Sequence, residues 1–274
     1  MKKTKLIIER LGNKYLGFVL FLAITLAGLC VFSVMHSPAH APCIDASQIP
    51  QSELSCVLSE VAFNNIKTGD INDCTVYIAE NDVLTPFIVL TDNYYGNALL
   101  LRKEILDQPM SINDNSSYYE NSEIDKFLGC DYAFRFKGDV QNQMLTSLVW
   151  IAADDAIGTC GAQSTAISRR VFLLSFTEVV GEGLCAAVEG EQLEFFKNPN
   201  NRIAWYKGKP ASWSLRSPNT YYKSVSYGIG PDGAIGGGNA SDKNGIRPAF
   251  CMSPDSVIFI RDDVIEGQKC WVLE

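Results

Sequence analysis

The sequence predicts one α+β domain behind an N-terminal transmembrane helix. A run of 21 residues near the N-terminus has no charge and no proline. Further along the chain, short runs of strand-forming residues are mixed with segments whose apolar residues recur at helical spacing. The order of these segments, with a loop-rich second half, is typical of an α+β domain. We therefore expect residues 51–274 to fold as a single unit.

The uncharged run covers residues 15–35 (YLGFVLFLAITLAGLCVFSVM). A helix of ~20 residues spans the roughly 30 Å hydrocarbon core of a bilayer. Five basic residues and one acidic residue precede the run, so residues 1–14 are expected to stay in the cytoplasm and the rest to be translocated. A secreted protein cleaved near Ala41 is the alternative. Against cleavage, the run exceeds a usual signal core, and Pro42 would follow the cut.

The remaining elements follow from composition and periodicity. Residues 36–50 are rich in proline, alanine and serine, which predicts a short stalk. Helical spacing predicts helices at 51–66, 123–128 and 141–153, and the start of another at 177–180. Apolar and β-branched runs predict strands at 75–78, 86–90, 98–101, 171–176, 256–261 and 269–273. The composition of residues 196–248 predicts loops.

Charge and histidine content exclude several functions. Residues 36–274 carry 30 acidic and 18 basic side chains, so nucleic acid is not an expected partner. The two histidines, His36 and His40, both lie in the stalk, which leaves the domain without a Ser-His-Asp, Cys-His or histidine-zinc site. The adjacent carboxylates Asp154 and Asp155 are best explained by a surface turn. No metal or cofactor is expected.

Eight of the nine cysteines follow the predicted membrane helix. An even number in an oxidising compartment favours disulfides, and no Cys-x-x-Cys pair indicates zinc or redox chemistry. We predict a Cys251–Cys270 disulfide, because the intervening segment reads as two strands joined by a turn. Cys43–Cys56 is the second predicted pair.

Two arginine-containing segments are the most specific motifs in the chain. They are residues 212–218 (SWSLRSP) and 245–250 (GIRPAF), and each places an arginine beside a rigid turn. A guanidinium has five N–H donors in one plane, so Arg216 and Arg247 are suited to joining several loop carbonyls. Alternatively they bind an anionic or carbonyl-bearing ligand, with Trp213 and Tyr222 as stacking surfaces. Both interpretations remain open at this point.

These motifs resemble those of a bacterial family of uncharacterised exported domains, with Trp-Leu-Arg-Ser-Pro followed by Gly-Val-Arg-Pro-Ala. The segment 171–175 (VFLLS) leading into Glu178 fits the same pattern, and the resemblance covers roughly residues 70–253. This chain departs from the family by having one tryptophan, Trp213, before serine, and Ile246 in place of valine. The resemblance implies a relation to the C-type-lectin-like fold of formylglycine-generating enzymes and of variable retroelement-encoded binding proteins.

The expected function is therefore binding rather than catalysis. We predict a membrane-anchored extracytoplasmic module that binds a surface ligand or an envelope protein through aromatic and glycine-rich loops. The candidate ligand-binding residues are Trp205, Trp213, Arg216, Tyr221, Tyr222, Asn239 and Arg247. One alternative is a structural subunit of an envelope assembly. A degenerate formylglycine-generating-type enzyme is the other, although only Cys251 follows the second motif closely and no catalytic cysteine pair carries over.

Overall fold

The structure, a computed structural model, describes residues 55–183 and 185–274, and strands dominate it. The strands are β1 (Ser55–Val57), β2 (Thr75–Glu80), β3 (Val83–Tyr94), β4 (Asn97–Arg102), β5 (Ser147–Ala152), β6 (Ser164–Arg169), β7 (Val171–Phe172), β8 (Ala204–Tyr206), β9 (Lys209–Ala211), β10 (Trp213–Pro218), β11 (Val225–Ile229), β12 (Ile235–Asn239), β13 (Ala249–Met252), β14 (Val257–Ile265) and β15 (Gln268–Leu273).

The helices in these residues are short. The α-helices are α1 (Leu58–Val61), α2 (Glu123–Phe127), α3 (Gly138–Gln143) and α4 (Phe176–Val180). The π-helix Leu128–Tyr132 continues α2. Single 3₁₀ turns lie at Phe63–Asn65, Ala133–Arg135, Asp154–Ala156, Glu194–Lys197 and Pro199–Arg202.

An eight-stranded sheet with the order β1-β14-β15-β2-β3-β4-β13-β7 forms the centre of the fold. Its neighbouring strands are antiparallel except β15 and β2, which are parallel. Four successive residues of β4, from Ala98 to Leu101, are completely buried. Since neighbouring side chains of a strand point to opposite faces, this sheet is covered on both sides.

A separate three-stranded antiparallel sheet, β10-β11-β12, positions the candidate site. Trp213 pairs with Ile229, and Ser214 with Gly228, across β10 and β11. The tryptophan and isoleucine are buried, so the alternation of the strands places Ser214 on the opposite face. Two further hairpins, β5-β6 and β8-β9, complete the described sheets.

The structure corrects the predicted fold class. In the described residues the longest α-helix has six residues, whereas fifteen strands are present, so the domain is mainly β rather than α+β. The expected C-type-lectin-like architecture, which was part of that prediction, is corrected with it. The error arose mainly in residues 196–248, where a glycine- and serine-rich composition indicated loops and the chain instead forms five strands.

The helix predicted at 141–153 is wrong for a specific reason. Its apolar residues fit a helical period, but Val149 and Ile151 are buried while Leu148 is 52% exposed. This alternation belongs to strand β5, which pairs with β6 along its full length. By contrast, the structure confirms the predicted strands at 75–78, 86–90 and 98–101 and the helix at 177–180.

Several predictions concern the N-terminal region. The cytoplasmic segment 1–14, the transmembrane helix 15–35 and the stalk 36–50 lie outside the described residues. Across residues 55–183 and 185–274, the structure contains no helix with the length and apolar character needed to cross a membrane. The predicted 51–66 helix is reduced there to α1 and one 3₁₀ turn.

The predicted Cys251–Cys270 disulfide is also wrong. Cys251 lies on β13 and Cys270 on β15, with β2, β3 and β4 between them. Four strand spacings separate the two by about 19 Å, whereas a disulfide requires Cα atoms within about 7 Å. Both are free thiols, as is Cys56. Its predicted partner, Cys43, lies outside the described residues.

Thiol labelling of the folded protein tests this arrangement. We expect iodoacetamide to modify the exposed Cys130 and Cys160 first. Cys74 and Cys251 should stay unmodified until the protein unfolds, because both are buried and burial raises the pKa of each thiol to about 12. Peptide mass spectrometry under non-reducing conditions measures the result. A peptide that links Cys251 to Cys270 would contradict the strand order.

Candidate functional site

The seven predicted ligand-binding residues fall into two groups. Trp213, Arg216 and Arg247 are almost completely buried. The other four, Trp205, Tyr221, Tyr222 and Asn239, are exposed. A ligand therefore reaches the second group without any opening of the core, and the first group only through such an opening.

Arg216 joins four segments of the chain. Its Nε donates to the carbonyl of Trp150 (2.8 Å), and Nη1 donates to the carbonyl of Leu173 (2.7 Å). Both terminal nitrogens donate to the carboxylate of Glu178, at 2.7 and 2.8 Å, and Nη2 also donates to the carbonyl of Glu189 (3.1 Å). Five bonds occupy the five donors of the guanidinium. The arrangement favours the interpretation of Arg216 as a scaffold residue.

Glu178 is held in place by the start of α4. Ser175 and Glu178 form a capping box, in which the serine hydroxyl accepts from the Glu178 N–H and the carboxylate accepts from the Ser175 N–H. The hydroxyl of Tyr94 also donates to this carboxylate (2.6 Å). Although burial opposes a charge on Arg216, the adjacent Glu178 carboxylate keeps the arginine pKa above its ordinary value.

A second buried carboxyl, Glu189, lies beside this pair. Its Oε1 accepts the N–H of Ala152 (2.6 Å), and its Oε2 is hydrogen-bonded to the hydroxyl of Ser217. Burial raises the pKa of Glu189 to about 7, against the opposing effect of the charge on Arg216. The carboxyl thus connects β5 to β10 and titrates near neutral pH.

Arg247 is buried in a different way. Its Nε and Nη2 donate to the carbonyls of Arg102 and Lys103, each at 3.1 Å, and its Cζ lies 4.8 Å from the ring centre of Trp213. Its Nη1 has no partner among the described residues. Burial, and then repulsion from Arg102, lower the pKa of Arg247 to about 9. Whereas Arg216 is paired with a carboxylate, Arg247 stacks on an aromatic ring and donates to two backbone carbonyls.

A polar trough of about 290 Å³ lies on the face of the three-stranded sheet that Ser214 shares. Ser214, Gly228 and Gly236 form one row across the strands, and Ser226 and Gly238 lie in the next. No side chain in these positions is larger than serine, so this face of the sheet is open to a ligand. We call this surface the trough.

Glycine is required at the floor of the trough. A Cβ on Gly228 would lie 2.9 Å from the carbonyl oxygen of Trp213 and 3.3 Å from the side-chain nitrogen of Asn244. A side chain there would displace backbone atoms and narrow the trough. Gly236 differs, because a Cβ at that position would have no atom within 4 Å.

Two serine hydroxyls of the trough lack protein partners. Ser214 is 5% exposed and Ser226 is 8% exposed, and both line the trough. Neither hydroxyl bonds to another residue of the described parts of the chain, and both oxygen atoms reach solvent, because neither belongs to the fully buried unpaired side-chain atoms. Both hydroxyls are therefore available to bind a ligand in place of water.

The rim of the trough combines opposite charges with amides. Asp242 and Lys243 are adjacent and exposed, so their charges offset each other. Asp242 accepts the N–H of Asn239 (3.0 Å), which fixes the end of β12. Asn244 accepts the N–H of Gly245 (3.0 Å) through its oxygen. The trough is therefore polar and close to neutral.

A larger cavity, of about 340 Å³, is lined by Tyr95, Asn64 and Glu194 among others. Two of its polar side chains already have partners: Asn64 donates to Asp92 (2.6 Å), and Glu194 is paired with Lys197 (2.5 Å). In residues 55–183 and 185–274 no group of three or more histidine, cysteine or acidic side chains is arranged to hold a metal. The trough is the better candidate because its two serine hydroxyls are unpaired and accessible to a ligand.

Sequence reasoning missed most of this site. Of the predicted residues, Asn239 lines the trough, whereas Ser214, Ser226 and Gly236 were not singled out. The Ser-x-x-Glu spacing of a capping box was a usable signal for Glu178. No local pattern indicates Glu189, because its partners lie on distant strands.

One family model matches the chain. It is described as a domain of unknown function (DUF6273) and covers residues 95–254, more than half of the chain, including β10, β11 and β12. Neither a curated protein nor a solved structure matches. On this match, the chain belongs to the DUF6273 family of domains of unknown function.

Proposed function

We propose that this protein is a non-catalytic binding module that holds a polar, uncharged ligand in the trough. The observation that carries the proposal is the pair of solvent-accessible, unpartnered hydroxyls of Ser214 and Ser226, two residues that are otherwise buried, on the sheet face that forms the trough. Hydroxyl groups both donate and accept hydrogen bonds, and they bind a neutral polar ligand without burying an unpaired charge.

The charges around the trough support a neutral ligand. Lys243 is offset by its neighbour Asp242, so no cationic cluster is present there to hold a phosphate. The remaining contacts available are serine hydroxyls, asparagine amides and the peptide group of Gly237 at the sheet edge. This combination suits a ligand rich in hydroxyl or amide groups.

An extracytoplasmic location is part of the proposal. The basic residues 1–14 followed by the apolar residues 15–35 support export, and the acidic composition that follows suits a soluble surface domain. Fusion of a reporter enzyme after Glu274 measures the location. Reporter activity on the cytoplasmic side alone would contradict it.

Filling the trough should abolish binding without unfolding the protein. Gly236→Leu adds a side chain where no atom lies within 4 Å, and it gives the strand a residue with lower backbone entropy. We expect labelled full-length protein to bind at least one feature of an array of glycans and short peptides. The variant should lose that signal by about tenfold or more, as expected when a ligand loses one or two hydrogen bonds.

Gly129→Leu is the matched control. Gly129 is likewise exposed, has no atom within 4 Å of a Cβ, and lies on the π-helix rather than on the trough. This variant should bind like the unmodified protein, and both variants should unfold at an unchanged temperature. Equal binding by the Gly236 variant, or no binding by the unmodified protein to any array feature, would count against the trough.

A further inference from the structure

The hydrogen bonds at the two ends of the β11-β12 pair show which way the peptide groups of β12 point. At one end the Gly230 N–H donates to the Ala234 carbonyl (2.7 Å), and at the other the Ala240 N–H donates to the Ser224 carbonyl (2.7 Å). Bonded pairs in an antiparallel ladder recur at every second residue. The bonded residues of β12 are therefore Gly236 and Gly238, which face β11.

The peptide groups of Ile235, Gly237 and Asn239 accordingly point away from β11. Asn239 confirms the assignment, because its N–H donates to the Asp242 carboxylate and its carbonyl accepts from the Asp242 N–H. Among the described residues no strand pairs with the outer edge of β12, and all five of its residues are exposed. Ile235 and Gly237 each present one backbone N–H and one backbone C=O along this edge. The two residues are about 6.8 Å apart along the strand.

From this geometry we infer that the ligand of the trough is an extended polypeptide segment of another protein, which pairs with Ile235 and Gly237 as an added strand. The inference rests on the proposed function and names its ligand class. Paired donors and acceptors at strand spacing are complementary to another extended backbone. A glycan offers no row of groups with that spacing and alternation.

The composition of β12 fits this role. Natural edge strands usually carry lysine, proline or a bulge that prevents pairing. The sequence of β12 is IGGGN, with no charge and no proline, and its register with β11 is unbroken. Since the positions of β11 and β12 on the sheet face beside this edge are Ser226, Gly228, Gly236 and Gly238, alternate side chains of an added strand have room to lie in the trough.

The trough also restricts the side chains of the partner. The hydroxyl of Ser226 on β11 lies about two strand spacings, or about 10 Å, from an added strand, and the offset charges of Asp242 and Lys243 favour no net charge. The partner segment should therefore present a long, uncharged polar side chain, glutamine or asparagine, at the position that faces the trough. Its other side chains, on the opposite face, are less restricted.

Backbone methylation of the ligand tests the added strand. Short peptides of extended sequence with those residues at alternate positions are each made in three forms: unmodified, N-methylated at odd residues, and N-methylated at even residues. Binding to the full-length protein is measured by fluorescence anisotropy. One methylated form should bind about tenfold more weakly or worse, since it loses two backbone bonds, and the other should bind like the unmodified peptide.

Amide hydrogen exchange gives an independent measurement. In the free protein the N–H groups of Ile235 and Gly237 should exchange fast, whereas those of Gly236 and Gly238 are already bonded. Bound peptide should slow exchange at Ile235 and Gly237 by about tenfold or more. Gly237→Pro removes one outward donor without breaking the ladder and should weaken peptide binding, whereas the Gly129→Leu control should not.

The outcomes separate this inference from the proposed function. Binding of glycans alone, lost in Gly236→Leu, would leave the trough as the site and overturn the peptide. If both methylated forms bind equally more weakly, or if both bind like the unmodified peptide, the added strand is overturned. Slow amide exchange at Ile235 and Gly237 in the free protein would also overturn it. The edge of β12 would then already be paired with another part of this chain or with a second copy.

Discussion

Replacing Arg216 with methionine should lower the free energy of unfolding by about 3–5 kcal/mol, the usual cost of breaking a buried ion pair. The substitution leaves Glu178 without its partner, and that carboxylate has no exposed surface. Three carbonyl groups, of Trp150, Leu173 and Glu189, lose their donor as well. For a domain of this size, the melting temperature should fall by roughly 10 °C.

A second substitution separates the ion pair from the carbonyl contacts. Glu178→Gln removes the negative charge; its single amide oxygen can accept from the Ser175 N–H, and its NH2 group can donate to the Tyr94 hydroxyl, which then acts as the acceptor. Combined with Arg216→Met, it should cost clearly less than the sum of the single changes, because no uncompensated charge remains. Chemical denaturation of the four proteins gives this double-mutant cycle. Additive losses would show that the carbonyl contacts, rather than the pair, carry the stability.

Arg261 provides the matched control for this experiment. It also contacts two carboxylates, Asp263 (2.5 Å) and Glu274 (2.7 Å), but all three residues are exposed to solvent. Exposed pairs contribute little because water already solvates the separated charges. Arg261→Met should therefore leave the unfolding transition nearly unchanged. A large loss there would indicate that the method does not distinguish buried from exposed pairs.

The sequence predicted the parts of this fold whose cause is local. The strands that include Val76, Ile88 and Leu100 were found because runs of apolar residues form buried strands in almost any context. The interpretation that Arg216 joins several loop carbonyls followed from its five N–H donors and the neighbouring turns. These inferences need no knowledge of which segments lie side by side.

The predictions that were wrong, and the features that were missed, depend on residues that are distant in the sequence. Gly236 to Gly238 form a strand only because β11 supplies the ladder, since glycine by itself disfavours strands. Leu148 fitted a helical period, and only pairing with β6 exposes it. The trough could not be predicted from the sequence for the same reason, because its two serines form a site only when β10 and β11 pair.

The stability of the protein should fall as pH rises through the range in which Glu189 titrates. Burial raises the pKa of this carboxyl from an ordinary 4.5 to about 7 in the folded state. The folded protein thus holds a proton that the unfolded chain releases above pH 4.5. The stabilisation from that proton is complete below pH 4.5 and is lost as pH rises to about 7, by about 3 kcal/mol in total.

Glu189→Gln isolates this effect from other titrations. The amide is neutral at every pH, its oxygen accepts the Ala152 N–H, and its nitrogen donates to the Ser217 hydroxyl. The difference in unfolding free energy between the natural protein and the variant should change by about 3 kcal/mol between pH 4.5 and 7. The exposed Glu191→Gln serves as control and should show no such change. If the difference in unfolding free energy between the natural protein and Glu189→Gln does not change with pH, the Glu189 carboxyl is ionised over the whole range from pH 4.5 to 7.

The physical reason for the proton is the charge balance of the cluster. Arg216 carries one positive charge and Glu178 one negative charge, and the ion pair leaves no exposed surface on either side chain. A protonated Glu189 keeps these three groups neutral overall, whereas its ionised form adds a charge that no second cation offsets within this cluster. Because Ser217 binds this carboxyl from β10, the strand that also carries Ser214, ionisation should loosen the floor of the trough first. Exchange of the β10 amides at pH 6 and at pH 8 measures this, and the Glu189→Gln variant should show the same β10 exchange at both values after correction for the intrinsic rate.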